Sequence, residues 1–314
     1  MIERLFLLFL AALIPVAASA GPAQIELSFT PDIGGIKQVV EIKTDDANKP
    51  ALLFLSGGPG SSMINNAASF TDKLKNHFTI VQWDQRDAGK TLKLNPSPTP
   101  PSLAQMESDT LEVINFVRTE LKQQKIYLLG SSWGNVLGFH IVKTHPELLS
   151  AYFAVNPVIS QLASEKELLE TLKLHFKDNA AASDELAAVS LPFKTDEDLF
   201  HLRKWLFIKD GKAFASSAGF KSGFLQWSKS WSPVWNEVMA IDLNASLKKV
   251  DCPIYFLVGQ NDIQTSANIT VRYAEALQAP RKELYLFEKS GHQIHQDEPE
   301  KFQATIIRTL AAAR

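Results

Sequence analysis

One serine of this chain stands in a pattern that can make its hydroxyl a nucleophile. Residues 130–134 read G-S-S-W-G, which fits G-x-S-x-G with Ser132 at the centre. The preceding letters, K-I-Y-L-L-G, are typical of a buried parallel strand, and residues 135–143 have the pattern of a helix. A serine on such a strand–turn–helix connection points its hydroxyl above the carboxyl edge of the sheet. We therefore predict Ser132 as the nucleophile and Ser131 as a small filler of the turn.

A serine nucleophile needs a base to remove its proton and an acid to orient that base. Among seven histidines, His292 follows the last strand-like run and emerges at the same sheet edge as Ser132. His295 is predicted to lie farther out, behind the site or at the surface. Asp262 follows the preceding strand-like run at that edge. The chain order Ser132, Asp262, His292 fits a catalytic triad built on such an elbow.

The negative charge that develops on an attacked carbonyl oxygen needs backbone N–H donors. The N–H of Trp133 comes directly after the nucleophile and opens a helix, so it is one candidate. A second glycine-rich loop, S-G-G-P-G at residues 56–60, follows the strand-like run 51–55 and can bring bare backbone close to the substrate. We predict Gly57 and Trp133 as the two donors, with Gly58 as the alternative to Gly57.

The elements that position these residues alternate between strand and helix. Short apolar runs, typical of buried strands, occur at residues 51–55, 77–83, 125–130, 149–155, 253–259 and 282–288. The alternation stops between residues 157 and 246, where the sequence is helical and polar. We predict an α/β fold, a mostly parallel doubly wound sheet with a helical cap insertion. The core would comprise residues 21–156 and 247–314, and the cap residues 157–246.

The first 24 residues predict a secretory signal peptide. Arg4 precedes an apolar run that ends at A-S-A, residues 18–20. The run is shorter than the roughly 20 residues that a membrane span needs. We therefore predict an exported protein, periplasmic or secreted, that begins near Gly21 and has no stable membrane span. An uncleaved N-terminal anchor is the alternative.

Composition excludes several other classes of function. The chain has 314 residues, of which 45% are hydrophobic and 21% are charged, and its formal net charge is −2. Such a balance provides no basic surface for nucleic acid. Cys252 is the only cysteine, so an intrachain disulfide cannot form, and we expect this thiol to be buried. Serine chemistry of the predicted kind requires no metal and no cofactor, and the sequence does not indicate an oligomeric state.

Three motifs resemble the prolyl aminopeptidase (proline iminopeptidase) family of α/β-hydrolases. S-G-G-P-G-S-S at 56–62 is similar to the HGGPG loop of that family, W-D-Q-R-D-A-G-K-T at 83–91 to its WDQRGAGKS block, and G-S-S-W-G-N to its nucleophile elbow. The segments around Asp262 and His292 resemble its acid and base segments. The resemblance implies an α/β-hydrolase fold and a triad of Ser132, Asp262 and His292. It also implies an aminopeptidase that releases N-terminal residues, typically proline.

Two positions depart from the family pattern. Ser56 replaces the leading histidine of HGGPG, which we expect to change the mouth of the site without affecting backbone donors. Asp87 replaces the glycine of WDQRG, so we predict a positive φ or a tight turn at Asp87. Within the same block we expect Asp84 and Arg86 to form a structural ion pair.

An aminopeptidase also needs a carboxylate that holds the substrate ammonium. Glu237, which lies among tryptophans of the cap, is the candidate, and a solvated helix glutamate is the alternative. Trp205, Trp227, Trp231 and Trp235 could line an acyl pocket or form the core of the cap. Two other functions remain open, a carboxylic ester hydrolase with the same triad and a catalytically silent binding protein on the same fold. The predicted partner is a small peptide or ester substrate.

Overall fold

A mostly parallel eight-stranded sheet forms the centre of the protein, seen in a computed structural model that describes residues 25–311. The predicted signal peptide, residues 1–20, lies outside the described residues. The strands are β1 Ile25–Phe29, β2 Asp32–Ile33, β3 Ile36–Lys37, β4 Val39–Thr44, β5 Ala51–Leu55, β6 Thr79–Asp84, β7 Ile126–Ser131, β8 Leu149–Val155, β9 Ile254–Gly259 and β10 Lys282–Phe287.

The order of the strands across the sheet is β1-β4-β6-β5-β7-β8-β9-β10. The pairs from β6 to β10 are all parallel, whereas β4 pairs antiparallel with both β6 and β1. Short β2 and β3 form a separate hairpin between β1 and β4. The carboxyl ends of β5, β7, β8, β9 and β10 therefore meet along one edge, where a parallel sheet commonly binds its ligands.

The central strands are apolar on both sides because helices cover both faces of the sheet. All five residues of β5 are buried. Leu53 and Leu55 face one apolar cluster, while Leu52 and Phe54 face a second cluster on the opposite side. This alternation follows from the two-residue period of a strand. The central strands are thereby held rigidly from both faces, which fixes the positions of the loops at their carboxyl ends.

Helices pack on both faces of the sheet and form the insertion. Outside the insertion they are α1 Ala68–Thr71, α2 Gly89–Leu94, α3 Leu103–Glu120, α4 Gly134–Thr144, α10 Ala267–Ala276, α11 Ile294–Asp297 and α12 Pro299–Ala311. Ser102 caps α3 by accepting a hydrogen bond from the backbone N–H of Gln105 at 3.2 Å. The predicted helix there ended at residue 123, three residues beyond the observed end, and α2 was not predicted.

Five helices lie between β8 and β9 and form the predicted insertion. They are α5 Gln161–His175, α6 Ala180–Ala188, α7 Asp196–Lys209, α8 Ala218–Val238 and α9 Leu243–Ser246. The ends of the insertion are joined, since Ser160 bridges Asp242 and the N–H of Leu243 donates to the carbonyl of Ile159 at 2.8 Å. Thr195 and Asp198 form a capping box that starts α7. The fold class is as predicted, and the domain boundaries stay a prediction.

Among residues 25–311, no helix is long and apolar enough to span a bilayer.

Candidate active site

The turn between β7 and α4 holds Ser132 in a strained backbone conformation. Its φ is +53°, which is uncommon for a residue with a side chain. The N–H of Ser132 donates to the carbonyl of Val155 at 3.0 Å, which ties the turn to the end of β8. A Cβ on Gly134 would overlap the carbonyl oxygen of Leu55, so this close approach requires glycine. The sequence pattern is thus explained by the geometry of the turn.

The side chains of Ser132, His292 and Asp262 form one chain of hydrogen bonds. His292 Nε2 lies 2.9 Å from Ser132 Oγ, and His292 Nδ1 lies 2.8 Å from Asp262 Oδ2. When Nδ1 donates its proton to the carboxylate, Nε2 carries the lone pair that accepts the serine proton. The structure therefore brings together the three residues that the sequence predicts as a triad.

Asp262 is buried and fully used as an acceptor. Its Oδ1 accepts from the N–H groups of Gln264 at 2.8 Å and Thr265 at 3.2 Å, and its Oδ2 accepts from Thr265 Oγ1 at 2.8 Å. Burial acts to raise the pKa of Asp262, but the charge and hydrogen bond of His292, together with Thr265, hold this pKa below its ordinary value. The group is thus kept as a carboxylate.

Asn156 joins the loops that carry the acid and the base, and sequence reasoning missed it. It follows β8 with φ +43° and is buried. Its Nδ2 donates to the carbonyls of His292 at 2.8 Å and Gly291 at 3.2 Å, while its Oδ1 accepts from the N–H of Gly259 at 2.8 Å. A polar residue at the carboxyl end of a predicted parallel strand was the available signal.

The two predicted oxyanion donors lie on either side of the nucleophile. Trp133 precedes the first residue of α4, and Gly57 lies two residues beyond the end of β5. A Cβ on Gly57 would lie 3.3 Å from Ser132 Cβ, so the backbone approaches the nucleophile closely. Within residues 25–311, neither of these two N–H groups donates a hydrogen bond. Their positions fit the predicted role, which stays a prediction.

Ser132 and His292 open into a cavity of about 460 Å³ between the sheet edge and the insertion. Large aromatic side chains form much of its wall, namely Phe70, Phe207, Phe224, Trp227 and Trp235.

The four cap tryptophans divide between the two predicted roles. Trp227 and Trp235 line the cavity, and Trp227 Nε1 donates to the carbonyl of Pro59 at 2.9 Å. Trp205 lies in the core of the insertion, whereas Trp231 packs against Trp133 with ring centroids 6.5 Å apart. The cap thus contributes two tryptophans to the wall of the cavity.

Arg203 contributes a positive charge to the wall of the cavity. Its Nη1 lies 2.8 Å from Glu165 Oε2, and its Nη2 pairs with Glu165 Oε1. Both side chains are buried, and Gln161 Nε2 donates to Glu165 Oε1 at 2.5 Å. The guanidinium also lies over the ring of Trp235, with 5.8 Å between Cζ and the ring centroid. No aspartate or glutamate is among the described residues that line this cavity.

The predicted ammonium ligand, Glu237, lies elsewhere. It is exposed on α8, and its Oε1 accepts from the N–H of Leu103 at 3.1 Å. The carboxylate therefore stabilises the N-terminus of α3, where unpaired N–H groups favour negative charge. It is not among the residues that line the cavity with Ser132. The structure corrects the predicted position, because the tryptophans near Glu237 in sequence occupy other faces of the helix.

The prediction for Asp87 is confirmed. Its φ is +54°, and its Oδ1 accepts from the N–H of Ser97 at 2.7 Å. Aspartate is one of the few residues that tolerate this conformation, so it can stand where the family pattern has glycine.

Two further expectations for these motifs were wrong. Ser56 does not lie at the mouth of the site, since it is buried and its Oγ donates to the carbonyl of Ser61 at 2.9 Å. Arg86 forms a buried ion pair with Asp109, with 2.9 Å between Nε and Oδ2, rather than with Asp84. Asp84 Oδ2 instead accepts from the N–H of Lys90 at 2.6 Å.

His295 lines the far wall of the same cavity and is mostly buried. Its ring packs edge-on against Phe70, with centroids 4.9 Å apart. Burial, and secondarily the charge of His292, lowers the pKa of His295 to about 4. This imidazole is therefore neutral at ordinary pH. Among the described residues, no cluster of three or more histidine, cysteine, aspartate or glutamate side chains could hold a metal ion.

Comparisons with known proteins agree with this architecture. Residues 50–299 match the alpha/beta hydrolase fold family. The chain is 27% identical to the probable aminopeptidase YbaC of Bacillus subtilis strain 168, over 88% of this chain and 93% of that protein. It is 24% identical to a proline iminopeptidase of Heyndrickxia coagulans, over 81% and 88% of the two chains.

The solved structures include a proline iminopeptidase-related protein from Thermus thermophilus. It superposes with a TM-score of 0.64 at 22% identity and covers 92% of this chain and 98% of that chain. The resemblance to prolyl aminopeptidases that the three motifs indicate is confirmed by these matches. With a match that spans most of its length, the chain belongs to the alpha/beta hydrolase fold family.

Proposed function

We propose that the protein is a serine hydrolase that forms an acyl-enzyme on Ser132. The unbroken chain of hydrogen bonds from Ser132 through His292 to Asp262 is the observation that carries the proposal. Ser132 Oγ attacks the substrate carbonyl carbon while its proton passes to His292 Nε2. The buried Asp262 carboxylate stabilises the imidazolium that forms.

The remaining steps use the same groups. The tetrahedral intermediate collapses as the leaving group takes the proton from His292. A water molecule then attacks the acyl carbon, gives a proton to His292, and the acid product leaves Ser132. The N–H groups of Gly57 and Trp133 stabilise the negative oxygen in both tetrahedral intermediates.

An aminopeptidase is the first candidate for the substrate class, and the names of the two relatives support it. Such an enzyme needs a carboxylate near the substrate ammonium. Asp210, which follows the last residue of α7, is the cap carboxylate that we propose for this role. Burial raises the pKa of Asp210, and the positive charges of Lys209 and His292 oppose that rise. The influence of His292 places Asp210 within electrostatic range of the site, although it does not line the cavity.

A carboxylic ester hydrolase is the second candidate, and the wall of the cavity favours it. The guanidinium of Arg203 is neutralised by Glu165, and the lining contains no carboxylate that would bind an ammonium group. The aromatic side chains suit an uncharged acyl group. A substrate without a free amine would fit this wall as it stands.

A substrate panel separates the two candidates. Hydrolysis of aminoacyl 4-nitroanilides would be compared with that of their N-acetylated forms and of 4-nitrophenyl esters. An aminopeptidase would lose anilide cleavage when the amine is blocked, whereas an ester hydrolase would cleave the esters and neither set of anilides.

The Asp210→Asn variant refines this test. If Asp210 binds the ammonium group, the substitution raises KM for free aminoacyl anilides and leaves KM for the esters unchanged. Asp184→Asn, at an exposed position of α6 in the same insertion, is the matched control. An equal change in KM for both substrate types in Asp210→Asn would exclude the proposed role.

We also propose that the protein is exported, on the sequence of residues 1–20 alone. Mass spectrometry of the mature protein, purified after expression of the full chain, should find an N-terminus near Gly21. A chain that retains residues 1–20 in the membrane fraction would instead favour the uncleaved anchor.

A further inference from the structure

Gln85 connects the two backbone segments that carry the proposed oxyanion donors. Its side chain is buried between the nucleophile elbow and the loop after β5. Its Oε1 accepts from Trp133 Nε1 at 3.0 Å, and its Nε2 donates to the backbone carbonyl of Ser56 at 3.1 Å and to Ser56 Oγ at 3.2 Å. One side-chain amide thus contacts both sides of the site.

The carbonyl that Gln85 holds belongs to the same peptide unit as the N–H of Gly57. A trans peptide is planar, and its C=O and N–H point in opposite directions. Fixing the carbonyl of Ser56 from the interior therefore fixes the direction of the Gly57 N–H on the other side of the plane. Hydrogen bonding to that carbonyl also polarises the N–H, which strengthens it as a donor.

The second donor is held in the same way. The carbonyl of Ser132 shares a peptide unit with the N–H of Trp133, and it accepts from the N–H of Asn135 at 2.9 Å and from Asn135 Nδ2 at 3.2 Å. Tyr152 Oη anchors the Asn135 side chain by donating to its Oδ1 at 2.7 Å. In both peptide units, a buried side-chain amide holds the carbonyl whose opposite N–H is free.

We propose that Gln85 is a positioning residue that aims the Gly57 N–H at the oxyanion and sets its separation from the Trp133 N–H. The proposal rests on the proposed serine hydrolase function. Gln85 does not line the cavity and touches no reacting atom. It acts through the orientation of the Ser56–Gly57 peptide, and this orientation matters more for the tetrahedral intermediate than for the bound substrate.

The chain contains a chemically matched control for the merely structural effect of such a residue. Gln38 is also buried, its Oε1 accepts from Trp83 Nε1 at 2.9 Å, and its Nε2 donates to the carbonyl of Ile33 at 3.2 Å. Its other partner is Asp109, in the buried ion pair with Arg86. Gln38 therefore makes the same kinds of bonds as Gln85 without contacting either donor segment.

The experiment compares Gln85→Met with Gln38→Met in kinetics and inhibitor binding. For Gln85→Met we expect kcat to fall by about 10- to 100-fold with KM nearly unchanged, since removing an oxyanion donor outright costs roughly 100- to 1,000-fold. Affinity for a boronic acid inhibitor, which forms a tetrahedral adduct on serine, should fall in parallel with kcat/KM. Gln38→Met should lower the Tm at least as much and keep the wild-type kcat.

Ser56→Ala and a crystal structure of Gln85→Met complete the test. Ser56→Ala removes the hydroxyl but keeps the carbonyl that Gln85 holds, so its loss of kcat should be the smaller of the two. The crystal structure should show the Ser56–Gly57 peptide rotated, a result that does not depend on activity and separates this proposal from the proposed function. An unrotated peptide, a wild-type kcat in Gln85→Met, or an equal loss of kcat in Gln38→Met would overturn the proposal.

Discussion

His292 Nδ1 lies 2.8 Å from Asp262 Oδ2, and this contact is enclosed, since Asp262 is buried and makes three further hydrogen bonds. The contact fixes both the orientation of the imidazole and the nitrogen that faces Ser132. A protein that uses these residues for catalysis depends on this pair as much as on the serine itself.

Asp262→Asn tests that dependence. The amide can donate to Nδ1, which leaves the proton on Nε2 and prevents it from accepting the serine proton. We expect kcat to fall by roughly 1,000- to 10,000-fold with little loss of stability. Hydrolysis rates and thermal unfolding of the purified variant measure the two effects. A variant that keeps more than a tenth of the wild-type kcat would show that Asp262 does not orient the base.

Asn156→Asp tests the junction between the acid and base loops. The change keeps an oxygen that can accept from Gly259 but removes the Nδ2 donor to the carbonyls of His292 and Gly291. We expect His292 to be displaced and kcat to fall by up to about 100-fold, because small misplacements of catalytic groups have effects of this size. Asn179→Asp is the control, since either residue can cap α6. A wild-type kcat in Asn156→Asp would refute the role of the junction.

The Arg203–Glu165 pair predicts a characteristic pattern of stabilities. Arg203→Met leaves the Glu165 carboxylate buried without its partner, which should lower the free energy of unfolding by about 3–5 kcal/mol. The double variant Arg203→Met, Glu165→Gln should regain much of this loss, because no buried charge remains. Urea unfolding of both variants measures the difference. A double variant less stable than Arg203→Met would contradict this account of the pair.

His295 predicts a loss of stability in acid. The unfolded chain binds a proton at His295 near its ordinary pKa of 6.5, whereas the folded protein binds it only near 4. Between these values the unfolded state holds more protons, so lowering the pH destabilises the folded state, by up to about 3 kcal/mol at pH 4. Urea unfolding at several pH values should show a smaller loss in His295→Phe, which cannot titrate. Equal losses in the two proteins would exclude this contribution.

Several residues of the site were predictable because local sequence fixes their place. Ser132, Asp262 and His292 each follow a recognisable strand, and the carboxyl ends of parallel strands meet at one edge, so their convergence follows from the order of the elements. Asp87 was predictable for a similar reason, since its position in a motif with glycine requires a particular backbone conformation.

Other residues could not be placed because their roles depend on contacts between distant segments. Glu237 lies on a helix whose rotation is set by packing, and it stabilises α3 instead of facing Ser132. Arg86 pairs with Asp109, which is 23 residues away on α3 rather than in its own motif. Gln85 lies within a recognised motif, but its connection of Ser56 with Trp133 exists only after the sheet has formed.

The labelling of two adjacent serines tests the central claim most directly. Ser132→Ala and Ser131→Ala would be treated with a fluorophosphonate probe, and hydrolysis by each would be measured beside the wild type. We predict labelling and most of the activity in Ser131→Ala, and neither labelling nor turnover above a residual level in Ser132→Ala. An unlabelled wild type would favour a catalytically silent protein, and a labelled, active Ser132→Ala would contradict the assignment of Ser132 as the nucleophile.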